Sequence, residues 1–309
     1  MKSEFAILVP CYNAERFIDT FISTLALLTH KFDEVIFFDD GSTDNTRSIL
    51  ENKGYRVLRS ELNMGPSHAR NELAKATRCE WFHFHDIDDL LSSEYLERVS
   101  YFSRFNYDVI LCNVDWLSAD KSTTIFKWSY SNDDIQIDPL VYTITHPIGG
   151  INGLYKKEFF LRAKGFDENV RLWEDADLHI KLAALGARFY VVEETLSFSV
   201  RHSESSSKKQ DLAWVSRLML LKSYSILYLG PDVQVAIGKE AQKTASNLII
   251  HKRYYEAKEA FNLSLKCGVQ IAYLSNSKIW RILNVILSNN ILISIRMFQL
   301  RISFRPGNF

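Results

Sequence analysis

The chain has 309 residues, 47% of them hydrophobic and 24% charged, which excludes a disordered polymer and allows one large domain with an appendage. Lysine plus arginine and aspartate plus glutamate both total 37, so there is no net charge to gather nucleic acid, and no nucleic-acid partner is expected. Cys11, Cys79, Cys112 and Cys267 form no CxxC pair, which argues against a zinc knuckle or disulfide framework and fits a reducing cytoplasm.

The chain opens on Met1-Lys2-Ser3-Glu4 and a short apolar run ending at Pro10, without the length or cleavage site of a signal peptide, so export is not expected. Residues 5–9 read as a buried strand. Residues 15–28 follow as a helix with Phe17, Ile18, Phe21, Ile22, Leu25 and Leu28 on its apolar face. The alternation repeats: a strand at 35–38, a helix to about residue 52 capped by Asp44, a short strand at 57–58, a helix at 66–76 and a strand at 81–84. Such alternation predicts an α/β fold with a mostly parallel sheet, helices on both faces, and ligands beyond the carboxyl ends of the strands.

The polar residues agree with that rule. Tyr12 and Asn13 follow the first strand, Asp39 and Asp40 end the second, and His85-Asp86-Ile87-Asp88-Asp89 follows the fourth. Clustered carboxylates at a strand end are costly unless a cation binds there, and a divalent metal carrying phosphate is the usual occupant. His83 and His85 share one face of their strand, where His85 could line a ligand pocket or simply fill space.

Residues 113–153 read less clearly. A strand is expected at 125–130, and His146-Pro147-Ile148-Gly149-Gly150-Ile151-Asn152-Gly153 forms a glycine-rich loop able to approach a ligand with its backbone. A strand near 154–155 and a helix at 157–163 follow. Trp173-Glu174-Asp175-Ala176-Asp177-Leu178 then opens a helix that stops at Gly186. Acidic residues in a first turn can be mere dipole partners, but Trp173 beside them suits a partly desolvated carboxylate, which a general base requires. A strand at 196–200 leads into Arg201-His202-Ser203.

These residues together resemble a family 2 glycosyltransferase of the GT-A fold over about the first two-thirds of the chain. The blocks that carry the resemblance are Val9-Pro10-Cys11-Tyr12-Asn13, the run from Asp39 to Thr46, Asn63-Met64-Gly65-Pro66 with Ala69-Arg70-Asn71, the Asp86–Asp89 cluster, Gly165-Phe166-Asp167-Glu168, and Glu174-Asp175. The resemblance implies an inverting, metal-dependent hexosyltransferase that moves a sugar from a nucleotide-sugar donor, a UDP-sugar, to a glycan or lipid-linked acceptor in cell-surface polysaccharide synthesis. It implies that Pro10, Tyr12, Asn13 and Asp40 hold the nucleoside, that Arg70 faces the nucleotide, and that Glu174 orients the site or touches a donor hydroxyl. Taken alone, Arg70 would read as a surface helix arginine. The DxD pair is Asp86 and Asp88: Asp86 would contact ribose or metal-bound water, Asp88 would ligate Mn²⁺ or Mg²⁺, and His202 would complete the metal site. Asp89 would support them. Asp175 matches the catalytic base.

Beyond about residue 205 the pattern is helical, with helices expected at 212–228, 233–250 and 254–265, so the division is a catalytic domain at 1–205 and a helical region at 206–309. No acidic residue follows Glu259, whereas Lys266, Lys278, Arg281, Arg296, Arg301 and Arg305 do. The amphipathic tail at 278–304 could meet an anionic membrane surface from the cytoplasmic side, or pack on the catalytic domain or on another subunit of a homo-oligomer. Asn289-Asn290 and Arg296 interrupt it, so a spanning helix is not expected. No GxGxxG follows the first strand and no P-loop lysine motif is present, which discounts a dinucleotide oxidoreductase or an ATPase. The competing reading is a non-catalytic nucleotide-sugar-binding or scaffolding protein of the same fold.

Overall fold

An apolar run with no polar side needs cover on both faces, which a central place in a parallel sheet provides. In the computed structural model, which describes residues 5–201, 210–270 and 287–303, β1 (Phe5–Cys11) lies between β2 (Glu34–Asp40) and β4 (Trp81–Phe84) and is parallel to both. β3 (Arg56–Ser60) continues the sheet beyond β2. Beyond β4 come β8 (Gly153–Lys156), β6 (Val109–Leu117), β9 (Phe189–Val200) and the short β5 (Leu90–Leu91), while β7 (Thr124–Trp128) pairs with β6. β1, β2, β3, β4, β6 and β9 share one direction and β5, β7 and β8 oppose it, so the sheet is mostly parallel, as expected.

Side chains alternate along each strand, and the alternation sorts the core into two layers. Ala6, Leu8, Phe38, Phe82 and Phe84 face one layer, with Leu73 of α3 (Pro66–Ala76), Phe160 of α7 (Lys157–Arg162) and Leu178 and Leu182 of α8 (Glu174–Ala184). Ile7, Val9, Phe37 and Trp81 face the other, with Phe21 and Leu25 of α1 (Ile18–Leu27) and Leu96 of α4 (Tyr95–Ser100). Because β1 and β2 are parallel with Cys11 opposite Asp39, and Leu8 of β1 lies opposite Phe84, the loops after all three strands leave from one rim.

The first helical segment, expected from residue 15, begins as a 3-10 turn at Glu15–Phe17 before α1. Asp44 does act at the start of α2 (Thr46–Asn52): its carboxylate accepts from the Thr46 N–H at 3.0 Å, from one residue outside the cap. The strand expected at 57–58 is longer, and the strand expected at 125–130 ends at Trp128. α4, β6, α5 (Asn132–Ile137) and α6 (Pro139–Thr145) were not expected. β9 starts at Phe189 rather than near residue 196, and its register against β6 slips between Cys112 and Asn113, so that Val192 and then Thr195 find partners. Glu193 and Glu194 fall in that slip, and a bulge of this kind breaks the two-residue period by which strands are recognised. The four cysteines are free thiols, all buried.

The chain divides into two compact units, Met1–Ser205 and Ser206–Phe309. In the second, α9 (Gln210–Leu227), α10 (Pro231–Ile250) and α11 (Tyr254–Lys266) follow the expected helices closely, and α12 (Asn289–Ser303) occupies the basic tail. α10 and α11 form a hairpin closed by Ala241, Ala245, Leu248, Ala257 and Phe261. Small residues there let the helix axes approach. Residues 278–286 and 304 of the expected amphipathic tail lie outside the described residues. No helix among the described residues is long and apolar enough to cross a membrane.

Candidate active site

At the rim, the loop after β1 is tied to the loop after β2. Asn13, in the left-handed region at φ 48°, donates its N–H to Ser42 Oγ at 2.9 Å, and its Oδ1 accepts from the Thr43 N–H at 2.9 Å. Asn13 therefore braces two loops, while its neighbour Tyr12 stands half-exposed. Pro10 lies at the end of β1. Asp40 is buried, and its carboxylate accepts from the Met64 N–H at 2.9 Å, the Gly65 N–H at 2.7 Å and the Ser60 hydroxyl at 2.9 Å. These bonds fix the entry to α3, where Gly65 at φ 98° precedes Pro66. Asp39, placed at the same strand end by the sequence but given no ligand role there, has a carboxylate that accepts only from the Ser42 N–H at 3.1 Å among the described bonds.

α3 places Arg70 at the centre of the site. Only 4% of it is exposed, so the surface-helix alternative does not hold. Its Nη2 donates to Asp86 Oδ1 at 2.7 Å, and Nη1 lies 3.5 Å from Asp175 Oδ1 and 3.8 Å from Glu174 Oε1. Burial opposes its charge, yet the three carboxylates, Asp86 first, hold its pKa above the ordinary range. Nε and Nη1 nevertheless make no hydrogen bond, nor does Asp175 Oδ1. Buried donors without acceptors are costly, and they mark a place prepared for something else.

Asp175 and Glu174 occupy the first turn of α8, entered through Trp173 in the left-handed conformation at φ 69°. A bulky residue there is strained, and such strain concentrates at functional turns. The glycine-rich loop singled out in the sequence meets this turn: a Cβ at Gly150 would lie 2.5 Å from Asp175 Oδ1. The Asp175 pKa is raised, by burial foremost and by Asp86, with Arg70 and the Gly150 backbone acting against the rise. Glu174 is pushed up to about 7 by burial and by Asp175, again against Arg70.

A carboxyl whose pKa is higher in the folded state stabilises the fold while protonated and loses that contribution as pH rises through the folded value. For Glu174 the window runs from about 4.5 to about 7. Glu174→Gln is therefore expected to stabilise the free protein at pH 8 by about 1–3 kcal/mol, with the gain vanishing near pH 4.5, as read from denaturation midpoints at the two pH values.

The block from Gly165 to Glu168 reaches the site through Asn71. Asn71 Nδ2 donates to the Phe166 carbonyl at 3.0 Å and to Glu168 Oε1 at 3.1 Å, and its Oδ1 accepts from the Phe166 N–H at 2.8 Å. Phe166 in turn lies 5.5 Å from the Arg70 guanidinium. Gly165 has φ 65°, and a Cβ there would overlap Asn71 Oδ1, so only glycine fits.

Asp86 and Asp88 follow β4 and are partly exposed, whereas Asp89 turns inward and accepts from the Val200 N–H at 2.7 Å, pinning the end of β9. Two solvent-facing carboxylates give the hard oxygen donors that Mg²⁺ or Mn²⁺ prefers. Among the described residues no three His, Cys, Asp or Glu side chains form a complete cage, and His202, expected to join these ligands, lies outside the described residues. His83 and His85 are wholly buried: His83 Nε2 is 3.2 Å from His85 Nδ1, and Phe21 stacks on His85. His85 fills space and lines no open pocket. Burial lowers its pKa to about 4. A separate cavity of about 650 Å³, lined by Tyr101, Phe102, Tyr190, Glu193 and Glu194 among others, contains none of these residues.

The arrangement matches known proteins in both sequence and fold. Residues 6–161 match the family model described as Glycosyl transferase family 2. The chain is 30% identical over 203 residues to the uncharacterized glycosyltransferase EpsJ of Bacillus subtilis (strain 168), a match covering 62% of this chain and 59% of that protein. It thus spans somewhat over half the length of that relative. The structure of S. aureus TarS 1-349 in complex with UDP aligns at a TM-score of 0.55 and 20% identity, covering 85% of this chain and 88% of that one. The mannosyltransferase PcManGT from Pyrobaculum calidifontis, in complex with GDP-Man and Mn²⁺, aligns at 0.56 and 15% identity, over 96% and 88% of the two chains. At these identities the structural likeness is one of GT-A fold.

Proposed function

We infer the chemistry from one premise: the chain belongs to glycosyltransferase family 2. The protein is a glycosyltransferase, and we propose that it transfers a hexose from a nucleoside-diphosphate sugar, a UDP-sugar, to a hydroxyl of a glycan or lipid-linked acceptor, as in cell-surface polysaccharide synthesis. The observation that carries the reading is Arg70: a buried guanidinium with unsatisfied Nε and Nη1, set among Asp86, Glu174 and Asp175. Guanidinium donors that lack hydrogen-bond acceptors suit the phosphate oxygens of a donor.

In this reading the exposed ring of Tyr12 stacks on the base, at the end of the strand that carries Pro10. Asp40 shapes the nucleoside pocket by holding the Met64–Gly65 turn, and Asp39, with fewer bonds of its own, offers an oxygen to the base's imide N–H. Asp86 and Asp88 would hold Mn²⁺ or Mg²⁺, which when bound offsets charge on the leaving diphosphate. Asp175 takes the proton from the acceptor hydroxyl as its oxygen attacks the anomeric carbon opposite the diphosphate, so configuration inverts. Glu174, protonated for part of the time near neutral pH, orients a donor hydroxyl rather than competing for that proton.

The test is a donor screen with UDP-N-acetylglucosamine, UDP-glucose and GDP-mannose, each with and without Mn²⁺, following binding by calorimetry and release of nucleoside diphosphate. Asp88→Ala is expected to weaken metal-dependent donor binding by at least about tenfold. Equal donor affinity with and without metal overturns the metal assignment, and failure of every nucleoside diphosphate to bind overturns the reading.

A further inference from the structure

Behind the Glu174–Asp175 turn lies a buried polar pair that the reaction above leaves unused. His179 and Tyr155 are both about fully buried, where a polar group is tolerated only when it finds a partner. His179 Nδ1 lies 2.7 Å from the Asp175 carbonyl oxygen. A carbonyl only accepts, so Nδ1 carries the proton and Nε2 is left as a bare acceptor. The Tyr155 hydroxyl, 3.0 Å from Nε2, is placed to donate to it. Burial lowers the His179 pKa to about 4, so the ring is neutral and this tautomer persists.

Tyr155 belongs to β8, at the far side of the glycine-rich loop from Gly150. Its ring occupies the space that a side chain at Gly153 would need, and the Gly153 carbonyl is 2.9 Å from His83 Nδ1. The Tyr155 pKa is raised by burial foremost and then by the charge of Asp175, with Arg70 opposing. A rigid strand is thereby joined through two hydrogen bonds to the main chain of one residue in a strained first turn. The Oδ1 of that residue makes no hydrogen bond, and its carboxylate is held by the longer ion pair to Arg70 and by the Gly150 backbone.

We propose that Tyr155 and His179 are positioning residues, a strut from β8 to the Asp175 carbonyl that fixes the first turn of α8 and keeps the Asp175 carboxylate between Gly150 and Arg70. The inference rests on Asp175 being the base of the proposed reaction. It predicts that loss of the strut lowers turnover far more than donor recognition, because its hydrogen bonds run from Tyr155 through His179 to Asp175 and none among the described residues joins it to Tyr12, Asp40, Arg70 or Asp86.

The experiment compares wild type with Tyr155→Phe, His179→Asn, His179→Leu and Asp175→Asn, using the donors of the screen with Mn²⁺. Tyr155→Phe is expected to lower kcat about tenfold with donor KM within about twofold. His179→Asn keeps a donor near the Nδ1 position and should retain several-fold more kcat than His179→Leu, a difference that packing alone would not produce. Hydrogen exchange gives a readout independent of turnover: amides at 149–153 and 174–178 should exchange faster in Tyr155→Phe than in wild type, with the rest of the sheet unchanged. Unaltered exchange in both segments, or equal kcat for His179→Asn and His179→Leu, overturns the proposal. An Asp175→Asn chain that still transfers removes the base assignment and the strut's purpose together, whereas an inactive Asp175→Asn beside a fully active Tyr155→Phe removes the strut alone.

Discussion

Asp175→Asn is expected to lower sugar transfer by about 100- to 10,000-fold, the range over which a positioned general base contributes, while donor affinity stays within about threefold. Asparagine keeps the volume that lies against Gly150 and a polar neighbour for Arg70, so the change removes basicity together with one of the three charges that face the guanidinium, Asp86 and Glu174 remaining. The measurement pairs single-turnover transfer with donor titration. Burial holds the Asp175 pKa above the usual aspartate range, so wild-type kcat should fall on the acid side at a higher pH than an exposed aspartate would give. Glu174→Gln should keep that acid limb. If Glu174→Gln abolished transfer and Asp175→Asn did not, the two roles would have to be exchanged.

Arg70→Ala is expected to do more than remove a ligand contact. The guanidinium is the cation against which Asp86, Glu174 and Asp175 are all set, and removing one partner of a buried pair leaves charge uncompensated, at about 3–5 kcal/mol. The remaining carboxylates would take up protons at higher pH than before, so the deficit should be largest above neutrality and shrink on acidification. Denaturant titrations at pH 5 and pH 8 measure it. Donor binding should be lost over the same pH range. Arg70→Lys should recover much of the stability and less of the binding, because an ammonium supplies the charge without the planar fork. A variant as stable as wild type at pH 8 would mean that solvent already screens these groups.

Much of the fold was legible because its strands are short apolar runs separated by recognisable helical faces. Placing Tyr12, Asp40 and Asp86 at one rim follows from parallel strands leaving a sheet on the same side, whereas Asp175 comes on the first turn of α8, which no strand rule places. What could not be read were contacts that depend on a missing side chain. Gly150 and Gly165 admit Asp175 and Asn71 because they have no Cβ, and no periodicity reports which partner fills that space. Asn13 and Asp40 look like ligand groups from their place after strands, yet much of their hydrogen bonding is spent on neighbouring loops. Arg70 carries no apolar periodicity to signal burial, and its depth comes from the carboxylates that gather round it. In the second unit, by contrast, amphipathic helices of ordinary length were readable almost to their ends.

The latch between Asn71 and Phe166 joins residues 95 positions apart. A nascent chain emerging from the ribosome can pair its first four strands well before residue 166 exists, but it cannot yet assemble a competent centre. Long-range closure of this kind is slow compared with local pairing. Partly synthesised copies would then be sheet-bearing and chemically silent, and sugar transfer would begin only after nearly the whole first unit had been made.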